Sequence, residues 1–296
     1  MTLRIALVTC ATLPDLDPDD QRLIEPLRAR GADPVPAVWD DTSVDWDAFD
    51  LAVIRNTWDY PARRDEFVAW ARSVPRLANP APVIEWNTDK HYLTDLAAAG
   101  LPVVPTVWLA DATETLPETG THVLKPAVGA GSVDAARFSL GDRHEAALAR
   151  RHARRLLDAG QTVMVQPYVE AIETRGETGV IFVGGQFSHA IGKGAMLSSQ
   201  RQAEAGGLYL EETIVARDPT ADELSLAQRA IEAAPAGPDG LVYARIDLVP
   251  GANANPLIME LELTEPSLFM KTTPGSEELF ADAIVAAAER ARRSGR

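Results

Sequence analysis

The chain has 296 residues, 46% of them hydrophobic and 24% charged, enough for two or three domains with an ample core. A formal charge of −15 argues against a nucleic-acid or anionic-membrane partner, although a locally basic cleft can still take an anionic ligand. With one cysteine, Cys10, there is no internal disulfide; with no membrane-length apolar run and an N-terminal MTLRIALVTC too short for a signal peptide, a cytoplasmic setting is expected.

The first 86 residues alternate strand and helix signals. Arg4–Cys10 reads as a strand, Asp19–Arg30 as a helix stopped at Gly31, Pro34–Trp39 and Leu51–Arg55 as strands, and Arg63–Arg72 as a helix. This predicts a small doubly wound α/β domain, whose ligands belong at the carboxyl ends of its strands, near Thr9, Cys10 and Arg55 to Tyr60. The Pro-rich Ala-Asn-Pro-Ala-Pro at 78 to 82 reads as a linker. Thr88 is then placed to cap a helix from Asp89 that stops at Gly100. Thr121–Pro126 and Val133–Phe138 read as strands around a glycine turn, and Arg143–Ala159 as a helix ended by Gly160. Val163–Tyr168 is a further strand, and Gly179–Lys193 a hairpin around Gly184 and Gly185. A polar, mobile loop is expected over 194–212. Asp222–Ala234 is helical, Leu241–Val249 and Leu257–Leu263 are strands, and Glu277–Arg293 is a closing helix capped by Ser276.

Chemistry concentrates in the last two strands. Residues two apart in a strand share a face, so Tyr243, Arg245 and Asp247 point one way, and Ile258, Glu260 and Glu262 point together. The Pro250–Pro256 connection allows an antiparallel hairpin. Asp247 then shares a face with Glu260 only in a register whose paired numbers sum to an odd value. Three carboxylates so close need a cation among them. Hard oxygen donors suit Mg²⁺, which usually shares its coordination with substrate phosphates. The plain alternative is a solvated sheet face, where acidic residues alternate with apolar ones.

The segment His122–Ser132, HVLKPAVGAGS, ends a strand on Lys125 and continues into Gly129, Gly131 and Ser132. Such a turn can cradle phosphate through backbone N–H groups. It is not a Walker A loop, which needs Gly-Lys-Ser/Thr opening a helix, and an ordinary hairpin turn stays open as a reading. Lys90, Lys193 and Arg245 are further cations that fit phosphate binding as a set. Cys10 reads as a small buried residue rather than a nucleophile, and His122, His144 and His152 lack metal-ligand spacing.

Lys90, Lys125 with its glycine loop, Gln-Pro-Tyr-Val at 166 to 169, Arg-Gly-Glu at 175 to 177, Ala-Arg-Ile-Asp at 244 to 247 and Glu-Leu-Glu-Leu-Thr-Glu-Pro at 260 to 266 occur in the order seen in the ATP-grasp carboxylate–amine ligases, which the chain resembles over about residues 88 to 270. The resemblance implies an α/β (α+β) ATP-grasp fold behind an N-terminal domain over 1–87, with a central lid subdomain over 88–169 and a C-terminal subdomain over 170–296. It implies ATP and Mg²⁺ as cofactors. Lys90, Lys125, Gly129, Gly131 and Ser132 would hold phosphates, and Gln166, Tyr168 and Val169 would meet adenine. Glu177 would take the ribose, Lys193 the β- and γ-phosphates, and Asp247, Glu260 and Glu262 the Mg²⁺ ions. Arg245, with Lys193, would stabilise the reacting carboxylate or tetrahedral oxyanion. Glu262 departs from the family, which usually has Asn there.

Within that superfamily Arg-Asn-Thr-Trp-Asp-Tyr at 55 to 60, Phe-Ser-His-Ala-Ile-Gly-Lys at 187 to 193 and Met-Glu-Leu-Glu-Leu-Thr-Glu-Pro-Ser-Leu-Phe at 259 to 269 resemble the D-cycloserine cyclo-ligase subgroup. That implies closure of O-amino-D-serine through an acyl phosphate, releasing ADP and phosphate. Another ATP-grasp amino-acid or peptide ligase, a small-molecule kinase of the same fold, and a nucleotide-binding regulatory module are the alternatives. A small amino-acid-like substrate, in a chain that could form a homo-oligomer, would then touch Thr9, Arg55, Asn56, Thr57, Tyr60, His189 and Ser267.

Overall fold

The computed structural model describes residues 2–111, 114–194 and 214–294, so the loop expected over 194–212 lies, but for residue 194, outside the described residues. The N-terminal sheet begins with β1 (Leu3–Thr9), followed by α1 (Ile24–Ala29), β2 (Ala32–Val38), β3 (Leu51–Asn56), α2 (Arg64–Ser73) and the short β4 (Leu77–Ala78). Its strands run parallel in the order β2-β1-β3-β4. β1 is apolar almost throughout because both of its faces are covered. Ile5 and Leu7 join one core with Leu23 and Leu27, while Ala6 and Val8 join another with Trp39 and Phe67. The order reverses across β1, which directs the carboxyl ends of β1 and β3 toward one crevice.

The expected linker at 78 to 82 is instead part of the folded body. β4 pairs with β3, and α3 (Ala81–Asn87) starts directly after Pro80. Asn79 is fully buried, donates to the carbonyls of Tyr243 and Leu263, and accepts from the Val242 N–H. A Pro-rich string reads as a linker only while the partners of its polar groups are unknown. Thr88, expected to open a helix, closes α3 instead: its hydroxyl donates to Glu85 O and accepts from Arg64. The next helix, α4 (Tyr92–Ala98), follows a turn in which the Asp89 carboxylate takes the His91 N–H.

β5 (Val107–Leu109), β6 (Thr121–Pro126), β7 (Ala136–Ser139) and β8 (Val163–Pro167) form an antiparallel sheet ordered β5-β8-β6-β7, with α5 (Arg143–Asp158) packed on it through Ala149, Ala153 and Leu156. β7 starts three residues later than expected, since Ser132 and Asp134 take left-handed angles and the backbone turns from Ala130 to Ala135.

The third sheet follows the short α6 (Ile172–Arg175). It contains β9 (Glu177–Val183), β10 (Gln186–Lys193) and β11 (Ile214–Ala216), and, after α7 (Ala221–Ala233), β12 (Tyr243–Pro250) and β13 (Pro256–Glu262). The order is β11-β10-β9-β12-β13, every neighbour antiparallel. α7 covers one face through Leu226, Ala230 and Ile231. α8 (Ser276–Ser294) covers the other and reaches the N-terminal sheet, uniting Phe280 and Ile284 with Ile5, Leu7, Ile181 and Val183 in one core. The last helix thereby joins the first domain to the carboxylate-bearing strands.

Arg245 pairs with Glu262 and Asp247 with Glu260, the odd-sum register that puts all four side chains on one face. A bulge follows immediately, so that Leu248 pairs with Ile258 and Met259 is the extra residue. The simple alternation expected for β13 therefore fails at its start. Ile258 lies in the core with Leu261 and Leu263, and Met259 is turned to the cleft.

Candidate functional site

A cleft of about 460 Å³ opens where the three sheets meet. Its floor is the hairpin face of β12 and β13. Asp247 is buried and accepts from Lys193 Nζ at 2.6 Å and from Arg245 Nε and Nη2 at 3.0 and 3.1 Å. Glu260 faces Lys90 Nζ at 3.1 Å and Lys125 Nζ at 3.6 Å, and Arg245 also donates to Glu262. Lys193 reaches the floor because β10 ends beside β9, where Gly179 leaves room for the Asp247 carboxylate.

The carboxylates differ in charge state. Burial opposes ionisation of Asp247, but Arg245 and Lys193 outweigh it and hold its carboxyl below the usual range. Glu260 is likewise pulled down to about 2, burial being overcome by Lys90 and Lys125. Glu262 keeps a quarter of its side chain open to the cleft and lies under protein elsewhere. Burial, joined by the charges of Asp247 and Glu260 and only partly relieved by Arg245, pushes it up to about 7. Glu265, beyond the end of β13, is pushed up to about 8, by burial first and then by Glu262. Lys90 is held charged: burial opposes its ammonium, while Glu260, Glu265 and Glu262 favour it. Among the described residues no three acidic, His or Cys side chains converge as a closed metal site. The donor set of Asp247, Glu260 and Glu262 is nevertheless all oxygen and lines one face of the cleft, which suits a hard divalent cation.

The roof is the loop after β6. Lys90 Nζ donates to Gly129 O at 2.7 Å, and the Lys90 N–H donates to Ala127 O, tying α4's leading turn to the loop. Gly131 and Ser132 both have left-handed angles, and at Gly129 a Cβ would stand 3.2 Å from Pro126 Cγ. The far wall carries Gln166, Tyr168, Val169 and Glu177. Gln166 is anchored by a bond to Thr106 Oγ1, and Tyr168 by its hydroxyl bond to Glu173, with Arg137 3.8 Å above its ring. Val169, Ile172 and Met259 make an apolar patch between them.

Of the expected substrate-contacting residues, Ser267 lines the cleft. Thr9, Arg55, Asn56, Thr57, Tyr60 and His189 do not; all are buried in the layer behind it. Thr9 donates to Leu13 O, and Asn56 binds Asp17 N–H and the Asp20 carboxylate. Thr57 Oγ1 is buried without a hydrogen-bond partner. Tyr60 gives its hydroxyl to the Glu265 carboxylate.

Arg55 and His189 belong to a system that spans the segment after β13. Its six consecutive carbonyls each accept from a side chain elsewhere in the chain. Leu263 O takes Asn79 Nδ2 at 2.8 Å, Thr264 O the Tyr243 hydroxyl at 2.8 Å, and Glu265 O Trp58 Nε1 at 3.0 Å. Pro266 O takes Arg55 Nη2 at 2.7 Å, Ser267 O takes Arg245 Nη1 at 2.7 Å, and Leu268 O takes His189 Nε2 at 2.8 Å. A carbonyl only accepts, so His189 carries its proton on Nε2, and Nδ1 accepts from Ser188 at 2.9 Å. Burial lowers its pKa and favours this neutral form. The Asp19 carboxylate closes the system on the Met270 and Lys271 N–H groups at 2.8 Å each. The polar residues at the carboxyl ends of β1 and β3 thus shape the wall rather than form it.

Sequence reasoning missed Asp17, Asp19, Trp58, Tyr92, Glu265, Phe269 and Lys271 on the cleft surface. Glu265 had a signal as the third acidic residue of Glu-Leu-Glu-Leu-Thr-Glu-Pro, Trp58 lay inside the Arg55 to Tyr60 stretch and Phe269 closed the segment at 259 to 269; the other four had none.

Residues 5–79 match the family model of the D-cycloserine synthetase DcsG N-terminal domain. The chain is 38% identical to the cycloserine biosynthesis protein DcsG of Streptomyces lavendulae, over 95% of this chain and 97% of that one. Its structure is similar to the crystal structure of D-cycloserine synthetase DcsG, with a TM-score of 0.85 over 97% of this chain and 99% of that one. At 15% identity, D-alanine–D-alanine ligase from Bacillus anthracis shares the fold over the full length of both chains, with a TM-score of 0.67. The ATP-grasp ligase PsnB does so at 19% identity with a TM-score of 0.61, over 97% of this chain and 99% of that one. The chain belongs to the D-cycloserine synthetase DcsG family and has the ATP-grasp fold.

Proposed function

We propose that the chain is an ATP-dependent ligase that closes O-amino-D-serine to D-cycloserine and releases ADP and phosphate. The observation that carries this reading is the floor of the cleft, where two lysines face Glu260 and a lysine with an arginine face Asp247 on adjacent strands. Family membership supplies the substrate class.

A carboxylate is a poor electrophile, and transfer of a phosphoryl group from ATP turns it into an acyl phosphate. That transfer needs in-line positioning and charge neutralisation more than covalent help. Lys90 and Lys125 would hold the phosphates beneath Gly129, Gly131 and Ser132, and Lys193 would meet the β- and γ-phosphates. Gln166, Tyr168 and Val169 would receive adenine, and Glu177 the ribose hydroxyls. Asp247, Glu260 and Glu262 would hold Mg²⁺, which shields phosphate charge when bound. Arg245 would steady the negative charge of the carboxylate and then of the tetrahedral oxyanion. The aminooxy nitrogen attacks within the same molecule, so ring closure needs no second substrate to be captured. An aminooxy group is largely unprotonated at neutral pH, and the protein need not supply a strong base. The braced wall at Leu263–Leu268 keeps the folded substrate in a fixed geometry while it reacts. A cytoplasmic setting, with ATP at hand and the buried Cys10 thiol reduced, suits this activity. No described helix is long and apolar enough to cross a membrane.

Incubation of the protein with Mg·ATP and O-amino-D-serine tests the proposal. Equal amounts of ADP, phosphate and D-cycloserine support it. A phosphoryl group retained on a stable product would instead identify a kinase.

A further inference from the structure

Four carboxylates rise from the wall between Asp247 and Glu265, and three are matched by cations. Asp247 has Lys193 and Arg245, Glu260 has Lys90 and Lys125, and Glu262 has Arg245. Glu265 lines the same cleft, yet among the described residues no lysine or arginine ion-pairs with it, and its side-chain hydrogen-bond partner is the Tyr60 hydroxyl. Its backbone is held on both sides, the carbonyls of Thr264, Glu265 and Pro266 each accepting from a buried or partly buried donor. Tyr60 is itself 2% exposed, so the hydroxyl that orients the carboxylate is fixed too. A carboxylate offers about four acceptor positions, and one hydroxyl leaves most of them available to a ligand in the cleft that Glu265 lines.

Given the ligase reading on which this inference rests, the substrate brings one cation, its α-ammonium. Its carboxylate and the phosphates of ATP compete for the lysines and Arg245, and its aminooxy group is neutral. An ammonium drawn into a cleft of this size without an anion would lose its hydration uncompensated. We propose that Glu265, oriented by Tyr60, receives the α-ammonium of the substrate and makes the enzyme selective for α-amino acids. With the carboxylate directed to Arg245 and the ammonium to Glu265, two substituents of the α-carbon are placed, and the aminooxymethyl arm takes the remaining direction toward the activated carbonyl.

The test uses a substrate pair that differs only at this group. 3-Aminooxypropionate lacks the α-amine but keeps both reacting groups and can close to the unsubstituted isoxazolidinone. The wild-type protein should prefer O-amino-D-serine in kcat/KM by on the order of 10- to 100-fold, the range of a hydrogen bond to a charged group. Glu265→Gln keeps the shape and an acceptor for Tyr60. It should raise KM for O-amino-D-serine by about that factor while leaving kcat/KM for 3-aminooxypropionate within about threefold. Tyr60→Phe should shift the preference in the same direction by less. Equal losses on both substrates, with an unchanged ratio, would mean a merely structural role for Glu265 and overturn the assignment. If neither substrate yields ADP with the wild-type protein, it is the ligase reading that fails.

Discussion

Replacing Arg55 with leucine removes a guanidinium that is 0% exposed, lies 2.8 Å from Asp20 and donates to Pro266 O at 2.7 Å. It also stands 5.0 and 5.2 Å from the ring centres of Tyr243 and Phe280, so its charge is enclosed by aromatic faces. Leucine would leave the Asp20 carboxylate buried, with Asn56 Nδ2 at 2.7 Å as its remaining side-chain donor. Breaking a buried pair from one side costs about 3–5 kcal/mol, because the surviving charge is uncompensated. At about 2–4 °C per kcal/mol for a chain of this order of size, the melting temperature should fall by roughly 6–20 °C. Denaturant titration would give the free energy directly. A second variant separates stability from catalysis. Asp20→Asn combined with Arg55→Leu removes both charges and keeps an acceptor for Asn56, so stability should return to within about 1–2 kcal/mol of the wild type. Activity should stay low, because Pro266 O has lost its donor and the segment bearing Glu265 and Ser267 is loosened. A single variant that loses less than about 1 kcal/mol refutes the buried-pair reasoning. A double variant with full activity refutes the bracing role.

Three further outcomes are expected. Glu260→Ala should abolish ADP release with little change in circular dichroism, since it removes the partner of Lys90 and Lys125; full turnover would sink its place in the nucleotide site. Gly179→Ala would put a Cβ 3.1 Å from Asp247 Oδ1 and 3.0 Å from Ile191 Cδ1, displacing the carboxylate. We expect kcat to fall about tenfold or more while the melting temperature drops only a few degrees; unchanged kcat would show that Asp247 tolerates the shift. Metal-free and nucleotide-free protein should lose stability as pH rises from about 6.5 to 8, above the range in which His152 and His189, lowered by burial, act in the opposite sense. Glu262 and Glu265 are raised to about 7 and about 8, so the folded state binds more protons there than the unfolded state, whose carboxyls titrate near 4.5. Glu260, depressed to about 2, acts in the opposite sense but below that window. Glu265→Gln should flatten the slope in thermal melts, and a slope of the opposite sign would contradict the assigned burial.

Several features could be read without tertiary information because they follow from local covalent geometry. The period of two in β12 and β13 dictated that Arg245 shares a face with Asp247, and Glu260 with Glu262. The demand that the acidic residues meet across the hairpin then selected the odd-sum register that is found. The glycine loop after Lys125 and the parallel α/β unit at the N-terminus were legible in the same way, from turn residues and from apolar runs buried on both sides. The bulge at Met259 was not, because one extra residue in a strand leaves no compositional mark and is set by how its two neighbours pack.

The polar residues at the carboxyl ends of β1 and β3 mark the limit. Local rules brought Arg55, Asn56, Thr57 and Tyr60 to the right end of the right sheet, and the chain order put His189 beside it. Whether each side chain faces solvent or the interior depends on what covers it, and that cover comes from residues more than 200 positions away, as with Arg55 and Pro266. The sequence by itself determined which charged groups share the strand faces that meet at the cleft, since that rests on residue type and short-range spacing. Tertiary packing alone decided that Arg55 and His189 hold carbonyls behind the wall while Glu265 stands on it. A buried donor must find an acceptor wherever the fold provides one, and that partner is a property of the assembled core.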